Sequence, residues 1–407
     1  MSAAADARVE EVFHRYHRTG VLLHVRYPPH AGGPTNSRFG GLPSLPDHYE
    51  WPRTPNDVPL HFLAQIDCAD IPFPTVLPDR GVLFFFGRDD EEQIWDRNEP
   101  EDCCRVIYAP DATAETPRRD VPDDLPPIGD SYPREAAREF LVGEEDGPSV
   151  HVEWPIQPLP IDTWPDVLFG DYDEPEEDGD DPPSVLYKER LKELRAEAFA
   201  KATGHGDFGP HEINRDSLAG RAIFGYAEEG PEAYPQRWIT LQYAVRALLH
   251  RPVYFGGPRP GTEEWLRRSN EFDLDEPVPE EDRRAFREWL IGLGPSYDQS
   301  AIGGSAGGMV FLSMVATLRA WAGDPVRAAR IAPRVYEVLH YYFSGVTDWG
   351  VNYSQMLGHA PSAQSPMFPE EPTVVLLNLT SDRGLGWSFG DGGYCTFWIE
   401  PEDLAAR

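Results

Sequence analysis

The sequence predicts an α+β protein: a mainly antiparallel β core built from both chain ends, with a helical insertion in the middle. Three observations predict it. Short β-branched and aromatic runs, cut by Pro, Asp and Gly, fall between Leu60 and Tyr108. The same pattern returns between Thr373 and Ile399, while residues 205–345 carry apolar side chains at helical spacing. The expected division is therefore 1–204 and 346–407 for the two parts of the β-rich domain, with 205–345 as the insertion.

From the N-terminus, Asp6 to His17 predicts a short helix with Val9, Val12, Phe13 and Tyr16 on one face, and Val21 to Tyr27 predicts a strand. Residues 28–59 are rich in Gly and Pro, so regular structure is not expected. Their aromatics Phe39, Tyr49 and Trp51 predict that this loop packs down onto a sheet. Strands are expected at Leu60 to Ile66, Gly81 to Phe86 and Arg105 to Tyr108.

Residues 170–183 are almost wholly acidic plus Pro, which predicts a solvated loop, because nothing there offsets ordering entropy. The oxygen and Gly spacing of a calcium-binding EF-hand is absent. Ser184 to Ala200 predicts a helix capped by Ser184, with Tyr187, Leu191, Leu194 and Ala198 on one face. Residues 204–230 read as loop. Further helices are expected at Tyr234 to Leu249, Glu263 to Ser269, Pro279 to Ile291, Ala306 to Ala322 and Pro325 to Phe343. Asp324-Pro325 is a start signal, and Gly292 and Gly323 are stops. The last stretch, from Thr373, holds three apolar runs and a closing acidic segment: three strands in a meander, then one helical turn. Gly384, Gly392 and Gly393 supply the tight turns.

Asp and Glu number 69 against 36 Lys and Arg, a formal net charge of −33. Such a field repels a nucleic-acid duplex and an anionic membrane surface. It fits solubility first, and the sharper reading is an acidic surface that captures a basic protein partner. The four cysteines, Cys68, Cys103, Cys104 and Cys395, match no zinc-ribbon spacing, and the adjacent pair is poorly placed to bridge. Reduced thiols, a start without an apolar signal region, and a longest apolar stretch (Met309 to Leu318) too short for a bilayer predict a cytoplasmic protein.

Two blocks at opposite ends also resemble a known family. The C-terminal block is Val374 to Leu379, Ser381-Asp382, Trp387, Gly390-Asp391, Tyr394 to Ile399 and Pro401-Glu402-Asp403-Leu404. The N-terminal block is Ser37-Arg38-Phe39-Gly40-Gly41-Leu42-Pro43, Trp51-Pro52, Leu60 to Asp67, Leu77-Pro78-Asp79-Arg80-Gly81 and Val82 to Phe86. In this order they resemble the YwqG-like family of bacterial domains of unknown function. A third block, Gln355 to His359 and on to Gln364, is similar to a family loop, but Ser354 and His359 stand where the family has His and Tyr. The resemblance implies the β-rich domain but no reaction. It also implies a link to bacterial toxin systems, in which an immunity-type protein masks a toxin.

Alternation places Leu63, Gln65 and Asp67 on one strand face, where the two polar groups either line a cleft or meet solvent. Trp387 and Asp391 flank a Gly-rich turn; they form a binding surface, or else Trp387 packs inward and Asp391 only opens the turn. With Arg38 and Trp51 these residues define the candidate ligand-binding cleft: Arg38, Trp51, Gln65, Asp67, Trp387 and Asp391. Gly303 to Gly308 precedes an apolar helix and suits either anion binding or close helix packing. The 12 His form no compact ligand pair, there is no Gly-x-Ser-x-Gly elbow, and no cofactor motif is present, so neither metal nor cofactor is expected. The preferred function is a cytosolic binding module. The alternative is a hydrolase or lyase acting on a small polar or sugar-like substrate, with Asp67 and Asp391 as acid and base and Trp387 stacking on the substrate.

Overall fold

The computed structural model describes residues 3–25, 35–89, 103–128, 149–165, 183–204, 235–250, 260–292, 346–347, 350–351, 353–359, 374–382, 385, 387, 389 and 393–406. Outside them lie most of the acidic 170–183 stretch, Gly303 to Gly308, the expected helices Ala306 to Ala322 and Pro325 to Phe343, and Asp391.

Helix α1 (Ala3–Tyr16) leads into β1 (Arg18–Val25), followed by β2 (Arg38–Phe39), β3 (His61–Asp67), β4 (Val82–Gly87), β5 (Cys104–Ala109) and β6 (Trp154–Thr163). Helix α2 is Pro183–Thr203; α3 (Trp238–His250), α4 (Thr262–Ser269) and α5 (Glu280–Gly292) follow. A small separate hairpin, β7 (Val346–Thr347) and β8 (Gly350–Val351), precedes β9 (Gln355–Met356), β10 (Val374–Thr380), β11 (Tyr394–Ile399) and α6 (Pro401–Ala405).

Nine strands form one sheet in the order β11-β10-β9-β1-β6-β2-β3-β4-β5, every pairing antiparallel. Both chain ends therefore contribute to one sheet, and their inward side chains share one core. Leu63, Ala64, Ile66, Leu83 and Phe85 from the N-terminal strands pack with Leu376, Leu377, Leu379 and Phe397. The sheet curls around this core: Phe85 on β4 and Phe397 on β11 meet edge to face, ring centroids 5.3 Å apart, although six strands separate theirs in the order.

The outer face has two coverings. On the β1–β6 side, Val9 and Phe13 of α1 and Tyr187, Leu191, Ala198 and Phe199 of α2 cover Leu22 and Ile161. On the β3–β4 side, Leu45, Trp51 and Leu60 cover Phe62, Phe84 and Phe86. The aromatic loop thus packs onto the sheet. The inner core on one face and this second covering on the other explain why β3 and β4 are buried at every position, and why VLFFFG is a continuous apolar run rather than an alternating one.

Strand β6 has no counterpart in the sequence reading. Its Pro155, Pro158 and Pro160 look like loop, and Pro in a central strand breaks the ladder. The register shows how they fit. The Ile156 N–H points away from β1, donating to the Ser37 carbonyl at 3.1 Å. Pro158 and Pro160 share that side, and the two-residue β2 ends before reaching them, so no ladder bond is lost. Among the described residues of the middle run in the C-terminal meander, Asp382 and Trp387 form a bridge, and Asp382 Oδ1 accepts the Leu385 N–H at 3.0 Å.

Within 235–292 the helices make their own contacts. Trp238 stacks on Phe272 at 4.3 Å, Trp265 meets Phe286 edge-on at 5.1 Å, and Gln242 Nε2 donates to Asn270 Oδ1 at 2.7 Å.

Candidate functional site

Register places Arg38 opposite Gln65 and Phe39 opposite Ala64. A bulge between Phe62 and Ala64 reverses the alternation along β3. Leu63, Ala64 and Ile66 consequently face the inner core, while Gln65 and Asp67 stand on the outer face with Phe62, Phe84 and Arg38. Strict alternation from Leu63 to Gln65 does not survive this extra residue.

Arg38, Gln65 and Asp67 belong to one buried polar network, and the fold itself fills most of it. Gln65 Oε1 accepts the Ser44 N–H at 2.9 Å; Gln65 Nε2 donates to Asn36 O at 2.7 Å and Asn36 Oδ1 at 3.0 Å. Asp67 caps the 3-10 turn Cys68–Asp70, its Oδ1 accepting from Ala69 N at 3.0 Å, and its Oδ2 accepts from Asn36 Nδ2 at 3.0 Å. Asp70 Oδ2 gathers Thr35 Oγ1, Asn36 N, Ser37 N and Ser37 Oγ between 2.7 and 3.1 Å. Asn36, Ser37, Ser44 and Asp70 were not singled out from the sequence; the run Thr35-Asn36-Ser37 beside a strand is the signal that marks them.

Arg38 is 5% exposed. Its Nη2 donates to Leu42 O at 2.6 Å and to Ser44 Oγ at 3.0 Å, and its Nη1 reaches Asn36 O at 3.4 Å, all neutral acceptors. The Arg38 Nε is buried without a hydrogen-bond partner. Burial, joined by the Arg118 charge and opposed by Glu153, pushes Arg38 down to about 10.

The remaining candidates separate. Trp51 lies on the same outer face, edge-on to Phe86 at 5.3 Å, its indole N–H donating to Leu60 O at 2.9 Å. Trp387 lies in the inner core against Phe39, at 4.9 Å. Its Nε1–H donates to His151 Nδ1 at 3.1 Å, and His151 Nε2 faces Asp89 Oδ2 at 3.1 Å. Because an indole only donates, His151 Nδ1 is the bare nitrogen that accepts it. Next to them, His61 Nδ1 accepts the Asp89 N–H at 3.1 Å and His61 Nε2 meets Pro126 O at 2.9 Å, which fixes the neutral Nε2–H tautomer. Nothing in the sequence pointed to this His151–Asp89 pair, whose members are distant in the chain.

In the third family-like block, Leu357 takes φ +57, a left-handed conformation costly for a side chain with a Cβ. Gln355 Nε2 supports it, donating to Leu357 O at 3.0 Å and His359 O at 2.7 Å. His359 Nε2 meets the Tyr16 carbonyl at the end of α1, at 2.7 Å.

All four cysteines are free. Among the described residues, no helix is long and apolar enough to cross a membrane. No curated protein matches the chain. A family model described as Domain of unknown function (DUF1963) matches residues 37–241 and 316–407. That match takes in β2 to β6, with Arg38, Gln65 and Asp67, and β9 to β11 with Trp387; the chain belongs to this family.

Proposed function

We propose that the protein is a cytosolic binding module, YwqG-like and bacterial, that recognises a basic protein partner, in its most concrete form as an immunity-type protein masking a toxin. One observation carries the choice of binder over catalyst. Both oxygens of Asp67 already hold the fold, one the Ala69 N–H and the other Asn36 Nδ2. A carboxylate engaged in this way is a poor proton shuttle, which weighs against the hydrolase or lyase alternative built on Asp67 and Asp391. The net charge of −33 supports a basic partner with fast, salt-sensitive association.

The test is a pull-down from the native host at low and high salt. A partner of basic composition, captured at low salt and released at high salt, is expected; recovery of no protein under either condition sinks the reading. We assign partner specificity to the 205–345 segment. Replacing it with a Gly/Ser linker should leave a folded chain that no longer captures the partner, and a shortened chain that cannot fold would return the segment to the core.

A further inference from the structure

We propose that β5 is a self-association edge: a second copy of the chain lays its own β5 antiparallel along it, paired about Val106, and joins two nine-stranded sheets into one. The inference goes beyond the basic-partner reading and does not depend on it.

Among the described residues β5 is the last strand in the sheet order and pairs with β4 alone. The ladder fixes which way its backbone groups point. The Arg88 N–H donates to Cys103 O at 2.7 Å, which makes 88 and 103 a hydrogen-bonded pair. Bonded pairs recur at every second position of an antiparallel ladder. Arg105, Ile107 and Ala109 therefore bond to β4, and Cys104, Val106 and Tyr108 turn their N–H and C=O outward. The other side of β4 agrees: the Cys68 N–H donates to Gly81 O at 2.9 Å, which gives Leu83 and Phe85 to β3 and leaves Phe84 and Phe86 for β5.

An outward row of backbone donors and acceptors is a template for another strand, and proteins blunt it with proline, bulges or charge. Strand β5 has little of this. It holds no proline, and its register against β4 runs without a shift along its whole length. Its one charged side chain, Arg105, donates from Nη1 to the Cys104 carbonyl at 2.8 Å, away from the centre of the strand. At that centre Val106 stands opposite Phe85, and so on the core-facing side, yet it is 37% exposed. The far edge of the sheet differs. The pairing of β11 with β10 is broken by a bulge between Val375 and Leu377, and β11 runs into α6, whose Leu404 packs against the inner core.

A second copy is the occupant that the strand itself specifies. Turned about a two-fold axis through Val106, β5 sets Val106 against Val106, Cys104 against Tyr108 and Arg105 against Ile107. Outward-facing positions then meet one another. The Val106 N–H and C=O exchange bonds with their copies, and the two exposed valines cover each other on one face. The single charge of β5 meets an apolar side chain, so no like charges stand opposite. The cost is that Arg105 must release the Cys104 carbonyl, which makes the pairing reversible rather than obligate.

The experiment follows the full chain by sedimentation velocity over a concentration series at low and high salt. A reversible dimer is expected, and it should strengthen with salt, because screening relieves the repulsion between two chains of net charge −33. Capture of a basic partner weakens with salt, so the two readings fail separately. Val106→Pro loses no bond to β4, since the Val106 N–H points outward, and should weaken the dimer about ten-fold or more. Val106→Lys sets two like charges opposite one another and should act in the same direction without altering the backbone. Val185→Lys, at an α2 valine of matching exposure (38%), is the control and should leave the dimer intact. Circular dichroism checks that each variant is folded; if Val106→Pro is not, Val106→Lys decides. A chain that stays monomeric at every concentration and salt overturns the proposal, as does a dimer that Val106→Lys leaves unchanged or that Val185→Lys weakens equally.

Discussion

Phe85 and Phe397 touch edge to face at 5.3 Å, and this contact joins strands near opposite ends of the sheet order. It is the point at which the sheet closes over its inner core. Phe397→Ala should therefore cost about 3–5 kcal/mol of unfolding free energy in urea. A double-mutant cycle with Phe85→Ala should return a coupling of about 0.5–1.5 kcal/mol, the range for aromatic pairs. Full additivity would mean that the two edges of the curled sheet are energetically independent.

Gln65 is fully buried and satisfies Ser44 N and Asn36 with both ends of its amide. Gln65→Leu keeps the volume but strands those backbone groups. A loss of about 1–3 kcal/mol is expected in chemical denaturation. If Gln65 lined an open cleft instead, the change would stay within about 0.5 kcal/mol.

Trp387→Phe keeps the aromatic packing on Phe39 but removes the indole proton from His151 Nδ1. Stability should fall by about 1–3 kcal/mol, the cost of an orphaned buried acceptor. In a Trp387→Phe/His151→Phe background that particular penalty disappears, so the measured effects should be markedly non-additive.

His359 gives a pH dependence with a definite sign. Burial, with the positive charges of Arg18, Arg195 and His17, pushes its imidazole down from 6.5 to about 4, against the Tyr16 carbonyl that raises it. Between those two values the unfolded chain binds a proton that the native chain does not. Its contribution is therefore fully present above pH 6.5 and is lost as pH falls toward 4. His359→Gln, whose amide can still donate to Tyr16 O without titrating, should flatten the stability curve in this window. An unchanged slope would remove His359 as its source.

What the sequence by itself determined was local and periodic. The apolar face of Val9 and Phe13 specified α1, the face of Tyr187, Leu191 and Ala198 specified α2, and the aromatic run Phe84-Phe85-Phe86 specified β4. The polar character of Arg38, Gln65 and Asp67 also marked the place where a buried polar network forms. Tertiary structure decided everything that depends on who lies opposite. Strand β6 was hidden because its prolines are acceptable only where no neighbour needs their N–H, and that depends on where β2 stops. The orientation of Gln65 and Asp67 turned on one bulged residue in β3, since a shift of one position sends every following side chain to the other face. Trp387 went to the inner core because the curl of the sheet brings Phe39, and His151 from 236 residues away in sequence, against it. Periodicity reports the side of an element that is apolar; the partner that covers it is set by long-range register and closure, which no local pattern encodes.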